Sequence, residues 1–179
     1  MRLIIPLCSA AIALGCYRNS WAAGLLTHIE VEPNDTIATA QTIPPFDPFG
    51  TQTLLGAVTP GDIDYYQLTL PAPILFVANP IESLSDPYTE VMSLGLFDET
   101  GSPLIVFPQI GGFAISMTLT NPGTYFLGIS GFSETPFSGL HDESFGYRLD
   151  FSYNFVPGPS SLALLGVAAL VGPRRRRQR

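Results

Sequence analysis

Short stretches of alternating apolar and polar residues recur through the middle of the chain, and turn-forming residues close each of them. The alternation is clearest in 113–119 and 147–155, where every second residue is apolar. Strands with one buried face produce this period of two. Further strands are predicted at 64–70, 74–78, 91–97, 104–107 and 124–130. Short strands at such regular spacing predict a single all-β domain, either a β-sandwich or a β-barrel.

The connections between these stretches carry recognisable turn chemistry. Asp98–Gly101 and Asn121–Gly123 supply the Asp, Asn, Pro and Gly residues that tight turns need. The 17 prolines argue against long helices, and only 36–42 is predicted to form a helical turn. Residues 132–145 have no periodicity, and this predicts an exposed loop before the last strand.

The first 23 residues have the features of a secretory leader. Arg2 precedes the nearly continuous apolar stretch 3–15, and Ala22 and Ala23 offer the small side chains that a signal peptidase requires. We therefore expect 1–23 to be a signal peptide, removed by signal peptidase during export. Lipidation at Cys16 is the alternative, because the residues before it are similar to a lipoprotein cleavage motif.

Residues 156–179 combine a proline-rich turn, a short apolar stretch and an arginine cluster. A helix over 162–171 would satisfy its own backbone in hydrocarbon, although it is shorter than the about 20 residues of a full crossing. Arginines that follow an apolar stretch stay on the cytoplasmic side, which puts the domain at 27–155 outside. The predicted membrane and topology residues are Leu162, Leu164, Leu165, Val167, Leu170, Val171, Arg174, Arg175, Arg176 and Arg177.

The order of these three parts resembles the PEP-CTERM sorting signal. Its turn would consist of Val156, Pro157, Gly158, Pro159 and Ser160. The resemblance implies recognition by an exosortase in a Gram-negative envelope. Gly158 stands where this signal usually has Glu, and an uncleaved tail would remain as an anchor in the inner membrane.

Charge is distributed very unevenly once both ends are set aside. All 15 acidic residues lie between Glu30 and Asp150, against a single basic residue, Arg148, which gives −14 with His neutral. Nucleic acid is a poor partner for such a domain, because binding phosphates requires a basic face, whereas cations are favoured. Both cysteines, Cys8 and Cys16, lie in the leader, so the exported domain has no disulfide.

Several short motifs in the domain resemble the bacterial pre-peptidase C-terminal (PPC) domain. They are Glu30–Thr36, Gly56–Tyr66, Pro122–Leu127 and Tyr147–Leu149, in that order along the chain. The resemblance extends over about residues 29–152. It implies a β-sandwich of jelly-roll type, a domain that occurs in secreted proteases and in non-enzymatic surface proteins.

Oxygen-bearing side chains are concentrated in two of these motifs, at Glu30, Glu32, Asn34, Asp35, Asp62 and Asp64. Calcium prefers six to eight oxygen ligands, with carboxylates and amide carbonyls among them. In calcium-binding members of the PPC family the matching residues hold the ion, so the resemblance implies Ca²⁺ as cofactor and these six residues as ligands. The competing interpretation is an Asx turn or helix cap at 34–36 and ordinary loop acids at Asp62 and Asp64.

Catalytic motifs are absent from the sequence. His28 and His141 have no metal-binding spacing and are expected to be solvated, and the sequence has neither a G-x-S-x-G nor an S-x-x-K motif. We therefore expect a non-enzymatic, exported or surface-anchored protein that contributes to the extracellular matrix or to adhesion, with extracellular polysaccharide as a candidate partner. The alternatives are a carbohydrate- or protein-binding module and a cryptic secreted hydrolase.

Overall fold

The computed structural model of the chain describes residues 26–81, 92–108 and 114–156, which form ten strands and one short 3-10 helix, η1. The strands are β1 (Leu26–Ile29), β2 (Gln41–Thr42), β3 (Thr51–Val58), β4 (Ile63–Leu70), β5 (Ile74–Ile81), β6 (Met92–Phe97), β7 (Pro103–Phe107), β8 (Ile115–Leu119), β9 (Gly123–Gly131) and β10 (Phe145–Phe155). The helix η1 is Ile37–Thr39, and Thr36 caps it by accepting a hydrogen bond from the backbone N–H of Thr39. All seven predicted strands are present, and the predicted helical turn is η1.

Two five-stranded sheets pack against each other as a sandwich. The first sheet has the order β1-β3-β10-β5-β8 and the second has the order β2-β4-β9-β6-β7. The pairs β1–β3 and β2–β4 are parallel, and the other pairs in both sheets are antiparallel. β3 belongs to the first sheet and β4 to the second. The turn between them therefore crosses from one sheet to the other at one end of the sandwich.

The inward faces of the two sheets form the main core. Alternate residues of β10 point inward, and Tyr147, Leu149, Phe151 and Tyr153 are all buried. From the other sheet, β4 and β9 contribute further buried side chains to the same cluster, among them Leu68. The period-two pattern in the sequence therefore marks the face of each strand that packs in the core.

A smaller apolar cluster lies apart from the main core and contains Tyr65, Phe97 and Phe126. Phe137, from the connection between β9 and β10, packs against it, with ring centroids 5.1 Å from Phe97 and 6.1 Å from Tyr65. The sequence predicted an exposed loop at 132–145, whereas β10 already begins at Phe145 and the connection is 132–144. The prediction that this segment is fully exposed is wrong, since Phe137 is half-buried and His141 is buried.

The predicted export and sorting segments lie almost entirely outside the described residues. This holds for the signal peptide at 1–23, the motif residues 157–160, the apolar stretch 162–171 and the arginines 174–177. Val156 is described, and its N–H donates to the Pro73 carbonyl at 3.0 Å, which ties the end of β10 to the start of β5. Among the residues that the structure describes, no helix is long and apolar enough to cross a membrane.

Candidate metal centre

Two pairs of carboxylates that are distant from each other in sequence converge where β1 ends and β4 begins. Glu30 directly follows β1, and its N–H donates to the Leu55 carbonyl on β3 at 2.9 Å, so the pairing of these strands continues to this residue. Asp62 lies in the turn between β3 and β4, and Asp64 lies in β4. One carboxylate oxygen each of Glu30, Glu32, Asp62 and Asp64 lies within 4.8 Å of the other three. We call these four residues the acidic cluster.

Asp64 is the buried member of the acidic cluster. Its exposed fraction is 0%, and its Oδ2 has no hydrogen-bond partner in the described part of the chain. Burial first, and then the neighbouring Glu30 carboxyl group, raises the pKa of Asp64 to about 9, against a smaller opposing contribution from Tyr147. In the metal-free protein this environment favours the protonated form of Asp64, because no basic side chain in the described residues neutralises it.

Glu30 reaches the acidic cluster because β3 has a glycine beside it. Glu30 Oε2 accepts a hydrogen bond from the Ala57 N–H at 2.6 Å, while Oε1 is buried with no partner in the described residues. A Cβ at Gly56 would overlap both Glu30 Oε2 and Tyr147 Oη. Tyr147 in turn bonds through its hydroxyl to the hydroxyl of Tyr66. Gly56 and Tyr147 thus shape the buried side of the site.

Asn34 connects the segment after β1 to β4. It is fully buried, its carbonyl accepts from the Tyr65 N–H at 3.0 Å, and its own N–H donates to Glu32 Oε2 at 3.0 Å. Its side-chain amide group lies 3.0 Å from Glu32 Oε2 and 3.1 Å from Asp64 Oδ1. In the absence of a cation, the NH2 end of this amide must face the two carboxyl groups, whereas a cation would attract its oxygen.

The more exposed acids repel one another. The pKa of Glu32 is raised, first by its partial loss of hydration and also by neighbouring carboxyl groups, Glu30 and Asp62 among them. The pKa of Asp35 is raised chiefly by its hydrogen bond with the Asp62 carboxyl group. Asp35 is exposed and lies outside the acidic cluster. Of the six predicted ligands, the structure brings five together and leaves Asp35 beside Asp62.

The competing interpretation of these residues applies only in part. A cap is present, but Thr36 forms it, whereas Asn34 points into the acidic cluster. Asp62 does close its own turn, since its Oδ2 accepts from the Thr59 N–H at 3.2 Å. Asp64 is a buried strand residue rather than a loop acid.

No basic side chain in the described ranges compensates the acidic cluster. Arg148 is the one lysine or arginine in 26–81, 92–108 and 114–156. It donates hydrogen bonds of 3.1 Å and 3.0 Å to the two carboxylate oxygens of Asp150, on its own strand. Four carboxyl groups therefore share one small volume and depend on protons or on an external cation for neutralisation.

The donor set fits a hard divalent cation. Ca²⁺ takes oxygen ligands at 2.3–2.6 Å, so ligands on opposite sides of the ion lie about 4.6–5.2 Å apart. The four carboxylate oxygens all lie within 4.8 Å of one another, and these distances are compatible with that span. The four carboxylates and the Asn34 amide provide oxygen donors without any nitrogen or sulfur ligand. Ca²⁺ prefers such an all-oxygen set, whereas transition metals commonly take nitrogen or sulfur ligands.

His141 is a neighbour of the site that sequence reasoning missed. It was expected to be solvated, but only 1% of its side chain is exposed, and its Nε2 lies 2.7 Å from the Asp62 carbonyl oxygen. No pattern around it in the sequence could have indicated this contact, since 79 residues separate the two partners.

At the level of sequence, no known protein family and no curated protein matches the chain. Among solved structures it is similar to PliG of Aeromonas hydrophila, a periplasmic lysozyme inhibitor of g-type lysozyme, with a TM-score of 0.47, 16% identity, and coverage of 64% of this chain and 97% of that one. It is also similar to the pre-peptidase C-terminal domain of collagenase from Bacillus anthracis, with a TM-score of 0.40, 17% identity, and coverage of 64% and 94%. Both TM-scores are below 0.5, so neither likeness assigns a function to this chain.

Proposed function

We propose that the chain is an exported, non-catalytic β-sandwich protein that binds Ca²⁺ through the acidic cluster and Asn34. The observation that carries the proposal is Asp64, a fully buried carboxyl group that has one unpartnered oxygen and lies beside three further acids. Burying such a group is unfavourable unless a proton or a cation neutralises it. A divalent cation would attract all four carboxylates at once, whereas one proton neutralises only one of them.

The position of the site in the fold determines which way it would face in an anchored protein. The acidic cluster lies at the end of the sandwich where β3 gives way to β4, and β10 runs from beside Val58 to beside Thr51, away from that end. The chain thus leaves the fold at the end opposite the acidic cluster. If 157–179 anchors the protein as its sequence predicts, the cation site faces away from the membrane and toward the external medium.

We also propose that the domain is a PPC-like sandwich of jelly-roll type and that 156–179 is an exosortase sorting signal. Support for the first comes from the motifs at 30–36 and 56–66, which lie together at one site. Support for the second comes from the order of turn, apolar stretch and arginines in the sequence. Such a protein would be a component of the envelope surface or of the extracellular matrix, with signal peptidase and exosortase as its processing partners.

Thermal melting of the purified chain in chelator and in millimolar calcium tests the proposed function. Calcium at 100 times its dissociation constant stabilises the folded state by about 2.7 kcal/mol. For a domain of this size that corresponds to a rise in Tm of about 10 °C.

Asp62 and Asp35 provide a matched pair for this experiment, since the two acids are neighbours but only Asp62 belongs to the acidic cluster. Asp62→Asn should abolish most of the shift in Tm, and Asp35→Asn should keep most of it. Superimposable wild-type melting curves in calcium and in chelator would refute the proposal.

A further inference from the structure

The connection between β9 and β10, residues 132–144, is bonded directly to the turn that carries Asp62. The Gly61 N–H donates to the His141 carbonyl at 3.1 Å. The His141 ring Nε2 lies 2.7 Å from the Asp62 carbonyl oxygen, so it donates a hydrogen bond there. Two successive residues of the β3–β4 turn are therefore held by one residue of a distant segment.

The His141 side chain is fixed on its other sides as well. It packs so closely on Gly131 of β9 that a Cβ at that glycine would overlap the ring. Its Nδ1 lies 3.3 Å from Glu143 Oε2, and 1% of the side chain is exposed. The ring consequently has little freedom to move away from the Asp62 carbonyl.

Phe137 anchors the same segment to the face of the second sheet. Its ring lies against Gly95 and Gly128, neighbours on adjacent strands, where a Cβ on either glycine would overlap it. Tyr65 and Phe97 pack around the ring. The segment at 132–144 is thus attached at Phe137 and at His141, and it can hold the Asp62 turn in one place.

We propose that His141 is a positioning residue of the cation site, which acts by fixing the backbone that presents the Asp62 carboxylate. The inference rests on the proposed function. Asp62 is held on both sides: Thr59 donates to its carboxylate, and His141 donates to its carbonyl. Groups that orient metal ligands typically change metal affinity about 10–100-fold when they are removed.

The test measures calcium affinity by titration calorimetry with the full chain. His141→Leu removes the ring donor at similar volume and should weaken calcium binding about 10–100-fold. His141→Gln retains an N–H group that can reach the Asp62 carbonyl and should restore most of the affinity. His28→Leu is the matched control, because the His28 ring bonds to the Gln52 side chain rather than to the acidic cluster, and it should bind calcium as the wild type does.

The outcomes separate the inference from the proposed function. If the wild-type chain binds no calcium, the proposed function fails and the inference fails with it. If the wild type binds calcium and His141→Leu binds it equally well, only the inference fails. A purely structural role for His141 would lower Tm equally in chelator and in calcium and would leave the calcium Kd unchanged, which also overturns the inference.

Hydrogen exchange on the wild-type chain decides the matter if His141→Leu does not fold. Calcium bound at Asp62 should slow amide exchange at Gly61 and in 137–143, although that segment contains none of the proposed ligands. The turn at 121–123, beside Leu70 at the other end of β4 from Asp64, should exchange at the same rate with and without calcium. Unchanged exchange in 137–143 on calcium binding would overturn the proposed role of His141.

Discussion

Asp64 makes the stability of the metal-free protein depend on pH, and Asp64→Asn removes that dependence. Burial raises the pKa of Asp64 to about 9, from an ordinary value of 3.8. Folding therefore favours the protonated form, so the contribution of Asp64 is complete below pH 3.8 and is lost as the pH rises through 9. Between these values the free energy of unfolding falls by about 1.4 kcal/mol per pH unit.

Asn cannot ionise, so the variant escapes this loss. Relative to the wild type, Asp64→Asn should gain about 2–3 kcal/mol of stability between pH 5 and pH 7 in chelator. Urea unfolding at pH 5, 6, 7 and 8 in chelator measures the difference. Glu99→Gln is the control, because Glu99 is exposed in the turn between β6 and β7 and its substitution also replaces one carboxyl group by an amide. Parallel pH profiles for the wild type and Asp64→Asn would refute the reasoning.

Further predictions concern binding, packing and processing. Calcium must displace the Asp64 proton, so the apparent affinity for calcium should fall about tenfold per pH unit below pH 9. Titration calorimetry at pH 6 and pH 8 would measure this, and equal affinities would contradict it. Gly56→Ala should lower stability by about 2–4 kcal/mol, since its Cβ overlaps Glu30 and Tyr147; an unchanged urea midpoint would contradict the overlap. Phe76→Ala in the main core should cost about 3–5 kcal/mol in urea unfolding. Intact mass of the protein from its native cells should show loss of the segment after Pro159; a full-length tail found only in membranes would reduce 156–179 to an anchor.

The sequence predicts the strands that have one apolar and one polar face. β8 and β10 follow that rule, and both were located correctly. β3 was missed because Gln52 occupies one of its buried positions, where it bonds to the His28 ring, and because Gly56 and Ala57 interrupt the pattern. β1 and β2 were missed because strands of four and two residues are too short to show a period.

The candidate site was predictable only as far as its residues form short motifs. Glu30, Glu32 and Asn34 are neighbours in sequence, and Asp62 and Asp64 lie two residues apart. Their residue types left both a cation site and an ordinary acidic turn open, and the resemblance to the PPC family supplied the ligand set. The contacts of Gly56, Tyr147 and His141 with these residues depend on how β3, β10 and the segment 132–144 pack together. Such long-range contacts leave no local pattern in one sequence.

Calorimetric titration of calcium into the metal-free chain tests the central claim most directly, with the wild type, Asp64→Asn and Glu99→Gln compared under the same conditions. The wild type and Glu99→Gln should each bind a single calcium ion per chain, and Asp64→Asn should show no specific binding. A wild-type chain that gives no binding heat in millimolar calcium, or an Asp64→Asn chain that binds calcium as tightly as the wild type, would contradict the assignment of the acidic cluster as a calcium site.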